Sequence, residues 1–414
     1  MRICIVTQYF WPESFRINDL VCALRERGHE IQVLTGQPNY PSGVIEPEYR
    51  RLRPTWSQAL DSQVLRVPIV PRGSGSGLRL AANYASFAMS ASVFGTRRMR
   101  MPIDVVMAYE PSPVTVAMPA LALARRARAA ATMWVQDIWP DTLFATARMS
   151  GGLRGRAVSL LTKRLHRSMD RLLVQSRGFT PPLIAQGVAE EKIVYLPNWA
   201  EEEFAPVDVP SLAPERKELP SGFVVMFAGN LGVAQGLEVM VEAADLLRAT
   251  PDIQFVVLGD GRQADWLRGE VKRRKLSNLH MLGQRPQQSM PTWFALADAL
   301  LVTLRPGSVY ELTVPSKIQA YLACGRPIVA SIGGEAARIV EESGAGFATR
   351  AGDAAALAES IRRLYGMTPT QRDTLGQRGR DYSRANFDRN VLLDRIEAVL
   401  SSAVQSRITS STPA

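Results

Sequence analysis

Cysteine and histidine are scarce in this chain, three of each in 414 residues. Cys4, Cys22 and Cys324 are too few and too widely spaced for a disulfide framework or a clustered metal site. His29, His166 and His280 are too few for a His-rich metal centre. Long apolar runs are missing too. The longest candidate, residues 80–96, has 17 residues and includes Asn, Ser and Thr, short of the ~18–20 that cross a bilayer. The first residues do not read as a signal peptide, because Arg2 is their only basic residue and the run Ile3-Cys4-Ile5-Val6 stops at Thr7-Gln8. A cytoplasmic protein, soluble or peripheral on the inner face of the plasma membrane, is expected. Hydrophobic residues make up 46% and charged residues 21%, enough for sizeable cores and too apolar for a disordered chain.

Negative charge is sparse in one half only. Residues 1–200 hold 25 Lys and Arg against 14 Asp and Glu, and the remainder 24 against 25. Asp61 is the single acid in 51–100, facing eight basic residues. Such a surface attracts something anionic. Residues 80–96 end in Arg97-Arg98-Met99-Arg100, and in 153–169 Ala157, Leu160, Leu161, Leu165 and Met169 recur at helical spacing among Arg156, Lys163, Arg164 and Arg167. A basic amphipathic helix beside apolar surface suits an anionic membrane surface, although core-facing helices share the pattern. Nucleic acid is not expected as a partner, since Tyr and Phe are not interleaved with the basic residues.

Short runs rich in β-branched residues alternate with helical patterns. In the first half they fall at 3–9, 31–35, 64–69, 105–108, 132–136, 172–175 and 193–196, several without the inside/outside alternation of a one-sided sheet. The pattern restarts at 224–227, 255–258, 280–282, 300–303, 328–330 and 347–349. The fold class is therefore α/β, with two doubly wound Rossmann-like domains facing a cleft. The expected divisions are a basic first domain 1–205, a Pro-rich linker 206–222, a second domain 223–385, and 386–414 as a final helix that returns to the first domain plus a frayed Ser/Thr-rich tail from 405.

Three segments suggest phosphate chemistry. Gly229-Asn230-Leu231-Gly232 follows the first strand of the second domain, and Gln235-Gly236 opens the next helix. Glycines let backbone N–H groups approach an anion, and a helix N-terminus favours negative charge; a plain tight turn would read the same way. Gly259-Asp260-Gly261 is a weaker signal of the same kind. In Pro315-Ser316-Lys317, Ser316 is a candidate cap and Lys317 falls in the first helical turn, where it opposes the helix dipole unless an anion lies nearby. A ligand diphosphate would serve; a solvated surface lysine is the bland reading.

From that segment the chain resembles a family 4 glycosyltransferase of the GT-B fold, in the branch of colanic acid and O-antigen sugar (fucosamine-type) transferases. The resemblance covers nearly the whole chain. It is carried by Thr7-Gln8-Tyr9-Phe10-Trp11-Pro12-Glu13, Gly28-His29-Glu30, Pro38-Asn39-Tyr40-Pro41-Ser42-Gly43, Val135-Gln136-Asp137-Ile138-Trp139-Pro140, Leu196-Pro197-Asn198-Trp199, Phe227 to Glu238, Pro315 to Ser331, and Gly334-Glu335-Ala336. It implies a bacterial enzyme of surface polysaccharide biosynthesis that moves a sugar, with retention, from a UDP- or GDP-linked donor to a saccharide acceptor on a polyprenyl diphosphate. It also implies no bound metal and no cofactor. The donor would meet Arg16, Gly229, Asn230, Gly232, Gln235, Gly259, Glu311, Pro315, Ser316, Tyr321 and Glu335, and the acceptor Glu13, Asn39, Tyr40 and Trp139. Lys317 would stabilise the leaving diphosphate and Asp137 would orient the acceptor. The chain departs from the wider family at Ala320, where a second glutamate is usual, and at Asn230 and Gln235, where a basic pair is usual. A nucleotide-sugar epimerase and a non-catalytic nucleotide- or carbohydrate-binding relative are the alternatives.

Overall fold

The computed structural model describes residues 1–73, 77–143 and 152–411, with the backbone alone described at 154, 410 and 411. The chain divides into two units, one of Met1–Leu196 with the chain from Leu392 onward, the other Pro197–Val391.

The first unit holds an eight-stranded sheet. Its strands are β1 (Arg2–Val6), β2 (Glu30–Gly36), β3 (Thr55–Ala59), β4 (Ser62–Val67), β5 (Val105–Glu110), β6 (Ala130–Val135), β7 (Arg171–Val174) and β8 (Ile193–Tyr195), in the order β3-β4-β2-β1-β5-β6-β7-β8. All neighbours are parallel except the edge strand β3, which runs antiparallel to β4. The alternation of strand and helix builds this sheet, and helices on both faces account for the unbroken burial of β5 and β6. The sequence reading has no counterpart of β3. Thr-Trp-Ser-Gln-Ala is half polar, and its hairpin turns on Leu60 and Asp61, both at positive φ (50° and 51°), without the usual Asn-Gly signal.

The second unit holds six parallel strands: β9 (Phe223–Ala228), β10 (Ile253–Leu258), β11 (Leu279–Gly283), β12 (Ala299–Thr303), β13 (Ile328–Ser331) and β14 (Gly346–Thr349), in the order β11-β10-β9-β12-β13-β14. Along β9, Val225 and Phe227 enter one core with Leu237, Met240 and Ile361. Val224 and Met226 enter a second core with Ile318, Tyr321 and Ile339. The strand is apolar at successive positions because both faces are covered.

Two segments differ from expectation. Residues 206–222 lie within the second unit and include a short helix, Pro214–Glu218, with Pro at its first position, where the missing N–H costs nothing. The final helix runs from Arg389 to Ser411, past the expected fraying at 405. Leu392, Leu393, Ile396, Leu400 and Ala403 bury one face of it. Its polar face reaches back within the first unit, where Glu397 accepts from Arg27 at 2.6 Å and pairs with His29 Nε2 at 2.5 Å.

Candidate active site

In the second unit, β9 ends in a glycine turn. Gly229 adopts φ 136°, a conformation open to glycine, and its N–H is already spent on Leu258 O at 2.9 Å. The Leu231 N–H goes to Asp260 O at 2.8 Å. The N–H groups of Asn230 and Gly232 have no hydrogen-bond partner among the described residues, so the turn keeps amides for an anion, although not the Gly229 amide itself. Gly259 supports the turn from beneath; a Cβ there would stand 1.9 Å from Gly229 O.

Helix Ser316–Ala323 faces this turn. Its N-cap is Pro315, without a side-chain cap bond, so Ser316 is the first helical residue and not the cap the sequence suggested. Lys317 is half-buried as a residue, but its ammonium is enclosed. Nζ donates to Gln235 Oε1 at 2.8 Å, lies 3.9 Å from the centre of the Phe227 ring, and would sit 3.5 Å from a Cβ at Gly229. Among the described residues no carboxylate pairs with it. Burial therefore lowers its pKa from 10.5 to about 7. The helix N-terminus adds to that penalty. Among the described residues no opposite charge stabilises its ionised form.

A pocket of about 470 Å³ opens over Lys317. Gly229, Asn230, Gln235, Pro315, Ser316, Lys317 and Tyr321 line it, as do Glu201, Phe204, Gln287, Met290, Phe294 and Ala320. Phe204 stacks on Phe294 with ring centroids 6.0 Å apart, and Phe294 meets Tyr321 edge-on at 5.0 Å. The Tyr321 hydroxyl accepts from the Ala228 N–H at 3.2 Å, which fixes the ring against the strand end. The pocket thus has one cationic, amide-bearing wall and one aromatic wall.

The first unit gathers a second group of residues at the C-terminal ends of its strands. Tyr9 stacks on Phe15 at 5.1 Å, Tyr40 packs against both, and the Arg72 guanidinium lies 5.1 Å from the Tyr40 ring centre. Asp137, beyond the end of β6, has its pKa pushed up to about 6 by burial. Hydrogen bonding from Thr142 and the Ile138 N–H opposes that rise, with a smaller effect from Trp139, whose indole N–H donates to Ser112 Oγ at 3.3 Å.

Comparison with known proteins decides the family. Residues 14–199 match the glycosyl transferase 4-like domain and residues 222–367 the glycosyl transferases group 1 domain. The chain belongs to the GT-B glycosyltransferases. This glycosyltransferase is 28% identical over 338 residues to the putative colanic acid biosynthesis glycosyl transferase WcaI of Escherichia coli, covering 78% of this chain and 82% of that protein. It is 27% identical over 353 residues to the probable glycosyltransferase WbjE of Pseudomonas aeruginosa, covering 83% and 85%. Its fold matches HepE of Anabaena in complex with UDP, with a TM-score of 0.72 at 18% identity over 97% of this chain and 100% of that one.

The glycosyltransferase brings only some of the residues singled out from its sequence together. Gly229, Asn230, Gln235, Pro315, Ser316, Lys317 and Tyr321 share one pocket. Gly232 belongs to the turn and Gly259 packs beneath it. Glu311 and Glu335 do not line the pocket: Glu311 lies against Gly333 and Gly334, and Glu335 pairs with Arg338 at 2.5 Å. Arg16 belongs to the first unit, just before helix Ile17–Glu26. Glu13 is buried, and its carboxylate is taken up by the N–H groups of Phe10, Asn39 and Tyr40 at 3.2, 2.8 and 2.7 Å. The Asn39 side chain is likewise spent, accepting from the Arg72 N–H and from Asn83 and donating to Gln37 O. These two hold the loop that presents Tyr40, which remains exposed. The aromatic wall at Phe204 and Phe294 was not singled out from the sequence. Glu110 was also missed, although an acid closing the apolar run of β5 was a visible signal.

Proposed function

We propose that this glycosyltransferase takes its sugar from a nucleotide-sugar donor held in the second unit and passes it, with retention and without a metal, to a lipid-linked saccharide bound on the first, in bacterial surface polysaccharide biosynthesis. The observation that carries the donor reading is Lys317. An enclosed ammonium without a carboxylate, beside two unspent amides, is complementary to a diphosphate, whose charge grows as the anomeric bond breaks. The aromatic wall offers stacking surface to the rest of the donor. On the first unit, exposed Tyr40 with Arg72 suits a sugar face, and Asp137 suits an acceptor hydroxyl. Likeness to the named relatives supports the polysaccharide context.

Calorimetry with UDP, GDP, dTDP and their sugars tests this. One nucleotide should bind, and its diphosphate should be released quickly from the sugar only with an acceptor, slow hydrolysis apart; no binding would end the donor reading, and conversion of the donor to an epimer without acceptor would indicate epimerisation. The pH dependence is specific. The free ammonium titrates near 7 and a bound diphosphate raises its pKa, so affinity for the nucleotide sugar is greatest below pH 7. It should weaken by up to about tenfold per pH unit above that until the bound-state pKa is reached. Nucleotide sugars carry no phosphate group titrating in this window, so the slope reports the protein.

The acceptor reading has a surface to support it. Helix Leu153–Arg167 turns Thr162, Leu165 and His166 inward and leaves Leu153 (85% exposed), Leu160 (70%) and Leu161 outward beside Arg156, Lys163 and Arg164. Leu78 (88%), Met89 and Phe94 stand exposed near Arg79, Arg97 and Arg98 in the chain. Flotation with anionic vesicles should carry the enzyme upward, and about 0.5 M salt or Leu160→Ser with Phe94→Ser should release it. Equal recovery with neutral vesicles would count against an anionic membrane partner.

A further inference from the structure

The first unit contains one acid that the reading above does not use. Glu110 closes β5, is fully buried, and neither carboxyl oxygen has a hydrogen-bond partner. Strand β5 pairs with β6 so that Glu110 lies opposite Val135, two residues before Asp137. The two carboxyls end adjacent strands at the same edge of the sheet, and the charge of Asp137 acts on Glu110. An unpartnered buried acid is costly unless it is neutral. Two carboxyls in a water-poor site do not both ionise at neutral pH.

Which one holds the proton follows from their donors. Asp137 is supported by Thr142 and the Ile138 N–H; no donor lies within hydrogen-bond distance of the Glu110 oxygens, and the Asp137 N–H is the last of the influences on it, after burial and the Asp137 charge. Among the described residues, the other titratable groups that act on this corner are Tyr84 from helix Gly77–Ser90, then Tyr9 and Arg72. Tyr84 meets Ser112 and Tyr9, and Arg72 acts on the two tyrosines. Among the described residues no cation acts directly on either carboxyl. Burial first and Asp137 second keep Glu110 protonated well above the usual carboxylate range.

We propose that Glu110 is a positioning residue that carries the single proton of the pair, so that Asp137 is the ionised carboxylate that accepts the hydrogen bond of the acceptor hydroxyl. This rests on reading Asp137 as the acceptor's partner. A neutral Glu110 keeps the site at one negative charge, which orients the hydroxyl.

The test is infrared spectroscopy of the whole enzyme combined with the slow hydrolysis of nucleotide sugar, in which water takes the acceptor's place. At pH 7.5 a protonated-carboxyl C=O band is expected in the native enzyme, absent in Glu110→Gln and present in Asp137→Asn. In Asp137→Asn the neighbouring charge is gone, so the band should titrate away at a pH lower by about one unit or more. Glu110→Gln keeps shape and neutrality, so the acid limb of its hydrolysis should stay near pH 6. Asp137→Asn should lose that limb and fall by about 100-fold. A native enzyme without the band, or a band titrating identically in Asp137→Asn, overturns the role of Glu110 and leaves the acceptor reading standing. A shifted band with undiminished hydrolysis in Asp137→Asn overturns the acceptor reading and the positioning role with it.

Discussion

Replacing Lys317 with methionine should lower sugar transfer about 100-fold while leaving the protein at least as stable as before. One donor aimed at the developing charge of a leaving group is typically worth about 3 kcal/mol, and each 1.36 kcal/mol is tenfold in rate. Methionine keeps an apolar stem of similar length and removes the ammonium that lies over the Phe227 ring. The stability side has a definite sign. The native-state pKa lies below the unfolded value of 10.5, so the unfolded chain binds more protons between about pH 7 and 10.5. Native stability therefore rises with pH across that window, and below it the enclosed ammonium is a standing cost. The variant should show neither the slope nor the cost. Steady-state release of nucleoside diphosphate and thermal melts at pH 6.5 and 9 measure both effects. Turnover within a few fold of native would mean that Lys317 does not touch the diphosphate, whatever the melts show.

Gly259→Ala is the second large effect, for a different reason. Gly259 has φ 143°, and an added Cβ would meet Gly229 O at 1.9 Å, a distance no side chain tolerates. The neighbouring chain has little room to yield, because Gly229 N–H, Leu231 N–H and Gly259 N–H are all fixed to the adjacent strand ends and their loops. Strain and clash together should cost about 3 kcal/mol. The displaced segment is the one that offers the Asn230 and Gly232 amides, so nucleotide-sugar affinity should fall at least tenfold even where the variant still folds. Calorimetry at a temperature where circular dichroism is native separates the two losses. Native affinity in a folded variant would show that the turn does not contact the ligand.

The architecture was legible because strands covered on both faces need apolar residues at successive positions, as in Val224-Val225-Met226-Phe227. An edge strand carries no such demand, which is why β3 escaped notice. Lys317 was legible because a cation in the first turn of a helix contradicts local electrostatics. The division of labour within the glycine turn was not, since which amides are spent depends on Leu258 and Asp260 from the next strand and loop. Glu13 and Asn39 show the converse. Their place beside the aromatic loop was readable, but their side chains are committed to backbone groups that sequence does not bring together. Ala320 does line the pocket, beside Phe294 and Tyr321, so the missing carboxylate leaves an apolar patch at that wall.

The return of the last helix to the first unit has a consequence for synthesis. The stripe of Leu392, Ile396, Leu400 and Ala403 completes a body whose sheet was made about two hundred residues earlier. On the ribosome the second unit, continuous in sequence, is whole before the first, and the Glu397 partner of Arg27 and His29 arrives only with the last helix.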